Sequence, residues 1–213
     1  GSEECPADMK EEYQTTKKEL DLVKGEALYK EGNVLEAANL GWPEAMGEMA
    51  ANYIYGRGGF DKDNDKGFSF ATKAANAGDD NGQLQLAWCY NVSIGVPKDC
   101  AAALIWDERC IDKGYFLSAV NNNIGLIYYE GGHGVRRNFT KAAKYFRKAA
   151  DLGDDYGQCA LAEMYFDGQG VKRSFTEARK YYKMSADQNH APAQLKLGQM
   201  IIRRQGSEEN IMS

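Results

Sequence analysis

What this sequence lacks narrows it quickly. No apolar run approaches the ~20 residues that a membrane-crossing helix requires, so no membrane span is expected. There are two histidines, His133 and His190, and the five cysteines (Cys5, Cys89, Cys100, Cys110 and Cys159) form no Cys-x-x-Cys, which leaves a zinc site without its usual ligand spacing. Gly-x-Ser-x-Gly, P-loop, His-Glu-x-x-His, Gly-x-Gly-x-x-Gly and Ser-x-x-Lys are all absent. Carboxylates are scattered and histidine is scarce, so we expect no catalytic residue, no metal and no cofactor. The chain opens Gly1-Ser2 without a methionine, reading as a remnant of expression, and a missing leader then says nothing of compartment.

A concentrated basic stripe is missing too. The net charge of −5 divides into −8 for residues 1–100 and +3 for residues 101–213. Nucleic-acid binding needs clustered cations to neutralise phosphates, and none is expected here. The basic residues of the second half (Arg136, Arg137, Lys141, Lys144, Arg147 and Lys148) read as the solvated face of one helix. With 43% hydrophobic and 27% charged residues, the chain has enough apolar content to fold.

What is present is a repeat. The stretches "GHGVRRNFTKAAKYFRKAADLG" and "GQGVKRSFTEARKYYKMSADQN" match in length, with Gly, Val, Phe, Ala and Tyr in register. Gly41, Gly78, Gly114, Gly153 and, in the same place, Asn189 divide the chain into units of 36 to 39 residues. The fourth unit reads Gly157, Leu161-Ala162, Tyr165, Gly168, Gly170-Val171, Ala178, Tyr181 and Ser185-Ala186, and the other three follow it. Gly157, Leu161, Tyr165 and Gly168 recur at spacings of three and four, which places them on one helical face; Ala178, Tyr181 and Ser185 do the same on a second helix. Small residues at these places let two helix backbones approach closely. The Gly-rich link between the helices permits positive φ and reverses the chain. Asp99, Asn138 and Ser174 stand where the second helix needs an N-cap oxygen. Gly131-Gly132-His133-Gly134 has the composition of a phosphate loop, but its copies in other units mark it as this structural turn.

Units that bury their apolar faces against their neighbours make an all-α array. The period and motif resemble the SEL-one-like repeat (SLR) family, relatives of the tetratricopeptide repeat with a longer unit. The resemblance covers roughly residues 41–203, and its most specific piece is Tyr165-x-x-Gly-x-Gly-Val171. It implies a right-handed α/α superhelical solenoid of antiparallel helix pairs. Residues 1–40 are expected to form an N-terminal cap helix and a degenerate repeat, 41–203 about four repeats plus a closing helix, and 204–213 a flexible tail. The second unit departs by placing Asn91–Ile94 where a Gly is expected, and the third by about two extra residues near Asn121–Asn123. Cysteine-rich members of the family pair a late Cys of one unit with an early Cys of the next. That ladder is absent here, leaving Cys89 and Cys100, which flank the turn of the second unit, as a possible disulfide if the protein is exported.

In solenoids of helix pairs the first helix of each pair lines the concave side. Its positions outside the core vary between units, as expected of a recognition face. The partner-binding residues expected there are Tyr55, Trp88, Asn123, Tyr129, Glu130, Glu163 and Asp167, with the aromatics as anchors and the carboxylates matching a basic patch on the partner. The resemblance implies a non-enzymatic protein–protein interaction module, such as a bacterial immunity protein neutralising a secreted effector toxin. Its alternatives are a secreted bacterial factor, an adaptor binding a host or quality-control protein, and a hydrolase acting on cell-wall material. A rigid structural spacer is a further reading, should those rows prove fully packed. A monomer is expected, with a periplasmic or secreted location favoured over a cytoplasmic one.

Overall fold

The computed structural model describes residues 7–206, with side chains described from Lys10 onward. Gly1, Ser2, Cys5 and residues 207–213 of the expected tail lie outside the described residues. The described chain contains eleven α-helices, no β-strand and one isolated bridge, between Gly132 and Val135. It divides into two compact units, Gly1–Pro97 and Lys98–Ser213.

The first unit holds α1 (Ala7–Lys30), α2 (Val34–Asn39), α3 (Pro43–Tyr55), α4 (Asn64–Asn76) and α5 (Asp80–Val92). Consecutive helices pack on one another, and α3 also packs on α5, so the first helices of successive repeats stack. Three residues join α1 to α2, far fewer than the turns that join the helices of the later pairs. The α1 side chains from Lys10 to Leu20 are all exposed, and only the later part of α1 is buried, where Gly25 meets Trp42 and Leu40. Ala37, Ala38, Ala45, Met46, Met49 and Ala74 form the core beneath it.

The second unit holds α6 (Cys100–Lys113), α7 (Leu117–Glu130), α8 (Phe139–Asp151), α9 (Asp155–Asp167), α10 (Phe175–Asp187) and α11 (Ala191–Ile202). Each helix packs on the next, with α7 also on α9. The requirement for small residues is visible in distances. A Cβ on Gly157 of α9 would lie 2.6 Å from the Ala149 Cβ of α8, and one on Gly125 of α7 would lie 2.6 Å from the Phe146 ring. Ala142, Ala149, Ala162 and Ala178 are wholly buried. Ser185 fills an alanine place, and its hydroxyl donates to the Asp155 carbonyl at 2.7 Å, which satisfies the buried group.

The expected caps form. Asp99 accepts from the Ala102 N–H at 2.9 Å, Asn138 from Lys141 at 2.9 Å and Ser174 from Glu177 at 3.2 Å. Each satisfies one orphan donor at the start of a second helix. Gly168 ends α9 at φ 74°, and a Cβ on Gly170 would strike the Phe139 backbone 2.2 Å away, so these turn glycines are needed. In the second repeat Ser93 takes the left-handed place of the missing glycine at φ 64°, and its hydroxyl donates to the Val96 carbonyl at 3.0 Å. The extra length of the third repeat is spread out. Phe116 stands before α7 at φ 50° without a side-chain cap, α7 is one residue longer than α9, and the following turn is one residue longer than its counterpart.

Candidate partner-binding surface

In the first unit the expected anchors lie on α3 and α5. Tyr55 is 42% exposed, with the Arg57 guanidinium 4.8 Å from its ring centre. Burial of the hydroxyl end, then the nearby Cys89, raise its pKa. Trp88 is half-buried on α5. Both therefore offer part of an aromatic face while the rest packs inward, the arrangement that suits an interface anchor.

In the second unit Tyr129 is half-buried on α7, its ring 5.4 Å from Phe139 and 6.4 Å from Phe146. Its pKa is raised by burial first, then by Glu163 and Asp167, while Arg137 opposes them. Those four side chains thus share one neighbourhood formed by α7, the turn after it and α9. Glu163 is half-buried, and loss of solvent raises its pKa; Lys196 of α11 pulls it down and Asp167 pushes it up. Asp167 is exposed at the end of α9.

Two expected residues are placed differently. Asn123 is 6% exposed and lies beside Asp107, so it belongs to the α6–α7 contact and offers no surface to a partner. Glu130 is exposed but pairs with Lys98 at 2.5 Å, which neutralises the charge it was expected to present. Cys89 and Cys100, the possible disulfide, are both buried and carry free thiols in this structure. Desolvation pushes the Cys89 thiol up to about 12, which suppresses the reactive thiolate.

Sequence reading missed Asp107. It is wholly buried on α6, at the place that Phe146 holds in α8 and Tyr182 in α10. Neither carboxyl oxygen has a hydrogen-bond partner of normal geometry. Burial drives its pKa well above the ordinary carboxylate range, with Asn123 opposing and Glu108 adding to the rise. An acid at a core position of the repeat was the available signal.

Also missed was a repeated sandwich of aromatics and cations. In the first repeat Tyr53 stacks on Phe70 at 5.9 Å, with Lys66 over one ring and Lys73 over the other. In the third, Tyr128 stacks on Tyr145 at 6.0 Å between Lys141 and Lys148. In the fourth, Tyr165 stacks on Tyr181 at 5.9 Å between Arg147 and Lys180, and the Arg147 guanidinium also donates to the Tyr165 hydroxyl. Several of the basic residues are therefore held against rings, where a cation gains from the ring quadrupole.

Among the described residues no group of three or more His, Cys, Asp and Glu is placed to hold a metal, and no helix is long and apolar enough to cross a membrane. Fold and surface together define an α/α repeat scaffold, with small residues fixed in the core and large or charged ones varied on the first helices. The Sel1 repeat pattern matches residues 43–79, 81–115, 118–154 and 155–190, and the chain belongs to the Sel1 repeat family. Proteins of this family are in general protein-interaction modules.

Its α/α solenoid is shared with solved structures. A protective antigen present in uropathogenic Escherichia coli strains and displaying an SLR fold is 29% identical, over 88% of this chain and 42% of its own, with a TM-score of 0.63. A Sel1 repeat protein from Oxalobacter formigenes is 25% identical over 87% of this chain and 75% of its own, with a TM-score of 0.66. Cytochrome c oxidase assembly factor 7A of Xenopus laevis is 25% identical over 130 residues, 57% of this chain and 54% of that protein. The chain thus spans about half the length of the frog protein and less than half of the E. coli antigen.

Proposed function

We propose that the chain is a non-enzymatic module that grips a partner polypeptide with side chains of its first helices. The observation that carries this reading is the grouping of half-buried Tyr129 with Glu163 and Asp167 on α7 and α9. A partly desolvated aromatic with two carboxylates near it suits a basic patch on a partner. Tyr55 and Trp88 are the matching anchors of the first unit. Of the roles that members of the family fill, neutralising a secreted effector toxin as a periplasmic immunity protein is the one we carry forward. The acidic face is its support, since such a partner would present a basic patch to it.

The test is an alanine set on a captured partner. Trp88→Ala and Tyr129→Ala should each cost more than about 1–2 kcal/mol of affinity. Glu163→Gln with Asp167→Asn should slow association and flatten its salt dependence. Lys144→Glu, on the exposed side of α8, should leave binding unchanged. Were Lys144→Glu to abolish binding while the two aromatic changes did not, the first-helix face would be the wrong surface. For the immunity role, the chain should restore growth to a strain expressing a toxin encoded beside its gene, and the Trp88→Ala, Tyr129→Ala double variant should not.

A further inference from the structure

From Gly131 through the opening turn of α8 the third repeat has no carboxylate, although Glu130 ends α7 just before it. Over the same span the first repeat carries Asp61, Asp63 and Asp65 and the second Asp99, while the fourth has none in its turn and Glu177 in the first turn of α10. Residues 131–150 contain six Lys and Arg and no Asp or Glu. The difference reaches the pairing. Lys66 of the first repeat is bonded to its cap Asp63 at 3.1 Å, and Lys180 of the fourth lies 4.0 Å from Glu177. The third repeat caps its second helix with neutral Asn138, and none of Arg136, Arg137 and Lys141 forms an ion pair among the described residues.

These three cations border a cleft of about 580 Å³, whose remaining walls are Tyr128, Gly134, Val135 and Asn138. Lys141 is held 4.8 Å over the Tyr128 ring and Arg137 lies 5.4 Å over Phe139, so two of the three are positioned by aromatics. Other cations of the run are committed elsewhere: Arg147 to Tyr165 and Lys148 to Tyr145. Asn138 already accepts the Lys141 N–H, so the cleft's attraction for anions comes from the side-chain cations and not from the helix end.

We propose that this cleft takes an acidic segment of a polypeptide, with successive Asp or Glu side chains meeting Arg136, Arg137 and Lys141. The cleft, at about 580 Å³, is larger than one small anion, and three cations border it. A long nucleic acid is disfavoured on the same observations. Arg137 acts on Tyr129 together with Glu163 and Asp167, so a polyanion running past the cleft would meet carboxylates. The cleft adjoins the acidic first-helix face through Arg137 but is of opposite sign, and Arg136→Gln, which changes no residue of that face, tests it separately.

The experiment uses the full chain and a fluorescently labelled deca-glutamate peptide, read by anisotropy at low salt. Binding should weaken as salt is added, and the triple variant Arg136→Gln, Arg137→Gln, Lys141→Gln should lose about tenfold or more in affinity. A control of equal charge change, Lys144→Gln, Lys172→Gln, Lys180→Gln, should stay within about twofold, with circular dichroism confirming that both variants fold. Three results would overturn the proposal: no binding of the peptide, equal losses in the two variants, or an oligothymidylate of matched charge binding as tightly. If the triple variant fails to fold, Arg136→Gln alone is measured, and an affinity unchanged from the native chain likewise overturns it.

Discussion

The two ends of the second unit are built on the same repeat and filled differently. Where α6 meets α7, the buried side chains include Asp107, Asn121 and Asn123, and three oxygens of Asp107 and Asn121 have no hydrogen-bond partner. Where α9 meets α10, the buried set includes Leu161, Ala162, Met164, Ala178 and Tyr182, and the nearby buried polar side chains Ser185 and Gln158 are both hydrogen-bonded. Ser185 donates to the Asp155 carbonyl, and Gln158 donates to the Ala150 carbonyl at 3.3 Å. A buried polar group without a partner costs about 1–3 kcal/mol, so equal backbones need not be equally stable. The difference teaches that the repeat fixes where helices lie, while the side chains at its core places decide how firmly each pair is held. It predicts amide exchange that is faster in α6 and the start of α7 than in α9 and α10.

The largest effect should come from overfilling the well-packed end. Ala178→Leu forces extra methylenes between α9 and α10 and should cost about 1–3 kcal/mol by denaturant unfolding. Lys144→Leu on the exposed face should change little. Equal costs would mean that the small-residue places had been misassigned.

A change of comparable size and opposite sign is expected at the polar end. Asp107 has a raised pKa when folded, so the folded state holds its proton more tightly than the unfolded chain does. The stability from that proton is present below the unfolded carboxyl range, near pH 3.9, and is lost as pH rises through the folded value. Asp107→Asn keeps the shape and cannot ionise. It should therefore stabilise the protein at neutral pH by about 1–3 kcal/mol, and the gain should shrink toward pH 4. A gain that grew on acidification would contradict the burial of this carboxyl.

The smallest effect tests what the repeats share. Asn138→Ala and Ser174→Ala should each cost about 1 kcal/mol, because each removes the oxygen that caps a second helix. Exchanging the two caps, Asn138→Ser and Ser174→Asn, should be close to neutral in thermal unfolding. If the exchange costs as much as the alanines, the two repeats do not use their caps alike.

Much of this was legible because it depends on local chemistry repeated four times. The five residues closing the units, Gly41, Gly78, Gly114, Gly153 and Asn189, all adopt positive φ, which accounts for their recurrence. The caps Asp99, Asn138 and Ser174 were readable from a polar residue before an apolar period. On the candidate surface, Tyr55, Trp88, Tyr129, Glu163 and Asp167 each keep an exposed portion. The sequence by itself determined the helix pairs, their turns and the small residues between them, since each follows from spacing and backbone preference within one unit. Only the tertiary structure decided the fates of Asn123, Glu130 and Asp107. Asn123 was drawn into the α6–α7 contact, Glu130 was neutralised by Lys98 from 32 residues away, and Asp107 was closed off from water. A side chain's burial and charge partners come from neighbours distant in sequence, and no period within one unit records them.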